Sequence, residues 1–95
     1  MNEIQIRIKE ILVNEIEINF ETAIKNANLR NNMQNSYEHI SLYDDAGMDS
    51  LMLVDFISSL EIEFDLNLQL KDFDNIKTIE DVTLMITQKL SSVKH

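Results

Sequence analysis

Gly47-Met48-Asp49-Ser50-Leu51-Met52-Leu53-Val54-Asp55-Phe56-Ile57-Ser58-Ser59-Leu60-Glu61-Ile62-Glu63-Phe64-Asp65 is the stretch that decides the fold. Counting 100° per residue from Leu53 puts Phe56, Ile57, Leu60 and Phe64 within about 60° of one direction. That spacing predicts a helix with a core-facing stripe, ending near Asp65. Leu51, Asp55, Ser58 and Ile62 fall on the opposite side. Two apolar residues beside a carboxylate on the outer face hint at a contact surface, although single exposed apolar residues are common.

The flanks read as helical too. The chain has one glycine and no proline, which argues against an all-β fold with many tight turns. Ile4, Ile6 and Ile8 alternate as in a strand, as do Ile16, Ile18 and Phe20. Ile4, Ile8, Ile11, Leu12 and Ile16 instead form a helical stripe, and no turn residue splits the run. One helix over about residues 2–18 is the better reading. Between it and the central helix lies a long connection, about 19–45, rich in Asn from Asn26 to Asn35, with room for a short helix. After Asp65, Leu66, Leu68 and Leu70 read as a loop, and Phe73 and Ile76 as anchors of a short helical turn. Thr78 with Asp81 forms a capping-box variant ahead of a last helix whose stripe is Val82, Met85, Ile86 and Leu90. Lys89 and Lys94 would complement its dipole.

Ninety-five residues make one domain, 1–95, with 44% hydrophobic and 26% charged residues, a globular composition. The net charge is −9, concentrated in residues 44–81; residues 1–43 carry −2 and 82–95 carry +2. Nucleic acid and anionic membranes are disfavoured partners, and a basic protein surface is the natural complement. No apolar run is long enough to span a membrane or form a secretory signal. The absence of cysteine fits a reducing compartment, so a cytoplasmic location is expected.

Ser50 follows the glycine and opens the central helix, where a phosphate ester would meet unpaired N–H groups and the positive end of the dipole. Asp-Ser-Leu by itself is a weak motif, since Asp or Ser at a helix start is usually only a cap. Its setting changes the weight. Asp45-Ala46-Gly47-Met48-Asp49-Ser50-Leu51, the helix closing with Leu60-Glu61-Ile62-Glu63-Phe64-Asp65, and the onward spacing to Ile76, Lys77-Thr78-Ile79, Val82 and Ile86 resemble the acyl and peptidyl carrier proteins. The resemblance covers about residues 42–90 and extends loosely to Ile8, Ile11 and Leu12.

It implies an all-α fold, a small antiparallel four-helix bundle with a short third helix. It implies that a phosphopantetheinyl transferase attaches 4′-phosphopantetheine from coenzyme A to Ser50, flanked by Asp49 and Leu51. The arm's thiol would hold acyl or aminoacyl thioesters, supplying the sulfur that the chain lacks. Met52, Val54, Asp55, Glu61 and Ile62 fall where the family meets its transferase, its loading enzyme and the downstream synthase or transferase. The carrier itself would be a non-catalytic monomer.

Several residues depart from the family pattern. Met52 stands where fatty-acid carriers usually have an acid, and Ala46 replaces a leucine. No proline follows the central helix, and the first connection is about a dozen residues longer than usual. These fit a free-standing carrier dedicated to one polyketide, nonribosomal-peptide or lipid pathway.

Other constellations carry less. Asp44, Asp45 and Asp49 lack calcium-loop spacing, so no metal site is expected. His39 and His95 are far apart and have no second ligand near them, and the five methionines read as core filler first, with Met52 the exception. No general base stands beside a nucleophile, which disfavours an enzyme. The alternative from another class is an unmodified acidic helical adaptor that binds a basic protein.

Overall fold

A computed structural model of the protein describes residues 2–32 and 39–92. Four helices run in chain order: α1 (Glu3–Asn14), α2 (Phe20–Asn31), α3 (Ser50–Phe64) and α4 (Ile79–Ser92). A single 3-10 turn, Leu70–Phe73, lies between α3 and α4. The described residues form no strand, only an isolated antiparallel bridge between Ser41 and Thr78. The fold is all-α, as expected.

The core is one apolar cluster. α1 gives Ile8, Ile11 and Leu12, α3 gives Phe56, Ile57, Leu60 and Phe64, and α4 gives Ile79, Val82 and Ile86. α1 packs against both α3 and α4. The stripe counted from Leu53 is the buried face of α3, while Leu51, Asp55, Ser58 and Ile62 are all exposed. Asp65 ends α3 in the left-handed conformation at φ 51°. Phe73 is buried and Ile76 half-buried around the 3-10 turn. The short third helix of the resemblance is thus one 3-10 turn.

α4 begins with the reciprocal cap read from the sequence. Asp81 N donates to Thr78 Oγ1 at 3.1 Å, and Asp81 Oδ2 accepts from Thr78 N at 3.1 Å and Lys77 N at 2.9 Å. Lys89 bridges to Asp72 at 3.3 Å. Asp72 also accepts from Gln69 N at 2.8 Å. That N–H first, and Lys89 second, hold the Asp72 carboxyl below its ordinary range against desolvation. Lys94, His95 and Asn35 lie outside the described residues.

One expectation is corrected and one is filled in. The first helix stops at Asn14, not near Ile18. Continued at 100° per residue, it would turn Ile18 about 120° away from Leu12 and into solvent. Instead the chain breaks, with Glu17 left-handed at φ 64°. Ile16 N and Ile18 N bond back to Ile11 O and Leu12 O at 3.1 and 2.9 Å, and both isoleucines are buried.

The connection expected over 19–45, with room for a short helix, holds a three-turn helix, α2. Its asparagines serve the helix rather than dissolving it. Asn19 Oδ1 accepts from Thr22 N at 3.0 Å as N-cap, and Asn32 closes the helix at φ 52°. Ala23 and Ala27 are fully buried, and their small side chains place α2 against the common core.

Candidate functional site

Ser50 is the first residue of α3 and is exposed. Asp49 is the N-cap, its Oδ1 accepting from Met52 N at 2.9 Å, while Leu53 N reaches Asp49 O at 2.9 Å. The N–H groups of Ser50 and Leu51 therefore have no partner within the helix. No side-chain hydrogen bond engages the Ser50 hydroxyl among the described residues.

Three supports hold the approach to this helix tip. The first is apolar, with Ile40, Leu42 and Met48 buried. The second is backbone: Leu42 N donates to Lys77 O at 2.8 Å, and Met48 N folds back to Leu42 O at 2.9 Å. The third is polar and centres on Asp45. Its carboxylate accepts from Ser41 N at 2.7 Å and from Arg30 Nε and Nη2 at 3.2 and 2.7 Å. Asn26 Nδ2 donates to the Asp45 carbonyl at 3.0 Å, and Arg30 Nη2 to that of His39 at 2.8 Å. The Arg30 hydrogen bonds first, then the Ser41 N–H, hold the Asp45 carboxyl below its ordinary range despite burial. Asp45 in turn raises the Arg30 pKa.

Gly47 lies between these supports and Asp49, at φ +73°. A Cβ there would meet nothing within 4 Å, so the glycine is required by backbone conformation alone.

The other residues singled out in the sequence divide into two groups. Leu51, Val54 and Ile62 are 78%, 55% and 84% exposed, and Asp55 is exposed with them. Met52 is half-buried against the core, and Glu61 is half-buried with Oε2 accepting from Leu68 N at 3.1 Å. Those two are partly committed to the fold. Asn26 and Arg30 were not anticipated at all. Arg30 meets its carboxylate fifteen residues away in sequence, and no local spacing marks such a pair.

Residues 34–86 match the family model described as "Phosphopantetheine attachment site". An acyl carrier protein homolog of Mycoplasmopsis pulmonis is 38% identical over 56 residues, 59% of this chain and 77% of that protein. The acyl carrier protein of Thermotoga maritima is 40% identical over 53 residues, 56% of this chain and 65% of that protein. The acyl carrier protein of Petrotoga mobilis is 27% identical over 85 residues, 90% of this chain and 85% of that protein.

The chain belongs to the acyl carrier protein family, whose members are carriers bearing a covalent 4′-phosphopantetheine rather than catalysts. Membership sets aside the unmodified adaptor. The site suits the group: a free hydroxyl at a helix tip, with two unpaired N–H donors beside it to face a phosphodiester. When bound, the arm supplies a thiol for thioester chemistry. No described helix is long and apolar enough to cross a membrane.

Proposed function

We propose that Ser50 is the attachment residue and that the chain carries acyl or aminoacyl groups for one dedicated polyketide, nonribosomal-peptide or lipid pathway. The observation that carries this reading is the exposed, unbonded Ser50 hydroxyl at the N-terminus of α3, inside the span matched to the attachment-site family. In the loading step Ser50 Oγ bonds to phosphorus as the pyrophosphate of coenzyme A breaks. The adenosine bisphosphate half leaves, and the hydroxyl proton passes to the transferase. Asp49 orients Ser50 by capping the helix, and the unpaired Ser50 and Leu51 N–H groups offset the phosphodiester charge.

Leu51, Val54, Asp55 and Ile62 form the proposed docking face, with Met52 and Glu61 at its edge. Its partners in this reading are a phosphopantetheinyl transferase, a loading enzyme and a downstream synthase or transferase. The apolar side chains would enter shallow pockets while the carboxylates steer toward basic surfaces. The setting proposed is a cytoplasmic monomer.

Incubation with coenzyme A and a phosphopantetheinyl transferase, read by intact mass spectrometry, tests the assignment. A gain of one phosphopantetheine, lost in Ser50→Ala, is expected. No gain with several transferases would overturn it. Asp55→Lys should slow loading at unchanged helicity, and an unaltered rate would remove Asp55 from the docking face.

A further inference from the structure

α2 touches the serine's approach through the polar side chains of Asn26 and Arg30. Asn26 and Arg30 both bond Asp45 in one turn, Ser41–Ala46, and Arg30 also bonds the His39 carbonyl just before it. That turn is closed by Asp45 N and Ala46 N on Ser41 O, at 3.0 and 3.1 Å. The Asp45 side chain is 3% exposed, and a carboxylate so enclosed needs its partners. Only Gly47 and Met48 separate the turn from the N-cap of α3.

We propose that α2 is a positioning element for Ser50: Arg30 and Asn26 fix the Ser41–Ala46 turn through Asp45, and the turn fixes the angle at which Asp49 and Ser50 enter α3. The proposal rests on the carrier reading of Ser50. Arg30 does not touch the serine, so it acts through the loop. A hydroxyl held at one orientation reaches alignment with a phosphorus atom more often than one on a loose turn. Most of the docking face, Val54, Asp55 and Ile62, lies further along α3 than the turn that this clamp holds.

Arg30→Met should therefore lower kcat for phosphopantetheine transfer about tenfold, and leave KM for the carrier within about twofold. Arg30→Lys keeps the charge opposite Asp45 but loses the guanidinium fork, and should recover part of the rate. Arg7→Met, which removes an ion pair elsewhere on the molecule, should load at the wild-type rate. In the unmodified protein, Arg30→Met should speed amide exchange at Ser41, Ala46 and Met48 and leave Ile11 and Ile86 unchanged.

Wild-type kcat in Arg30→Met would overturn the proposal, as would a loss carried by KM alone or exchange that rises equally across all helices. Should Arg30→Met fail to fold, Asn26→Ala gives the same readouts. A wild-type protein that no transferase loads sinks the carrier reading itself; one that loads while Arg30→Met loads equally fast sinks only the positioning role.

Discussion

Two arginines make nearly the same bond at opposite ends of α3, and the bonds do different things. Near its C-terminus, Arg7 Nη2 meets Glu63 Oε2 at 2.7 Å, with side chains 35% and 42% exposed. Near its N-terminus, Arg30 Nη2 meets Asp45 Oδ2 at the same 2.7 Å, but the Asp45 side chain is 3% exposed. Arg7 also lies over the Phe64 ring at 4.4 Å, closing the side of an already packed core. Asp45 additionally takes the Ser41 N–H, so its pair organises a backbone turn. Distance alone therefore does not rank two ion pairs; what each carboxylate would lose without its partner does.

The same isosteric change at each end sharpens the contrast. Asp45→Asn should cost about 2 kcal/mol in denaturant unfolding, because a buried charge-assisted network loses its charge. Its pH dependence has a definite sign. The folded Asp45 carboxyl sits below its ordinary value, so its stabilisation is complete above about pH 4, where the unfolded group is ionised, and is lost as pH falls through the folded value. Wild type and Asp45→Asn should converge in stability on acidification. A constant gap would contradict the pairing.

Gly47→Ala should cost about 1 kcal/mol, since the left-handed backbone alone resists a side chain there. Gly47→Asn should cost less, because asparagine tolerates that conformation better. Equal costs would mean that contact, not conformation, selects the glycine. Glu63→Gln is the smallest effect, below about 1 kcal/mol and fading further with added salt. A loss as large as that at Asp45 would erase the difference between the two ends.

The sequence reveals the serine end of α3 and hides what braces it. Phe56, Ile57, Leu60 and Phe64 are legible because helical spacing is a local property. Thr78 and Asp81 are legible because a capping box is closed within four residues. Ser50 is legible because the glycine, the cap and the helix start sit together. α2 is legible only as room for a short helix, because its buried residues are two alanines and its asparagines equally suit a loop. Its caps and clamp become visible only once Asn19, Asn26 and Arg30 have partners. The early end of α1 is hidden for a related reason: Ile16 and Ile18 are both buried, and only a break in the helix lets both face inward.

Fragmentation of the loaded protein by tandem mass spectrometry tests the central assignment most directly, since it places the arm on a residue. The arm should lie on Ser50, at the open tip of α3. An arm on Ser58 or Ser59, further along the same helix, would contradict the account.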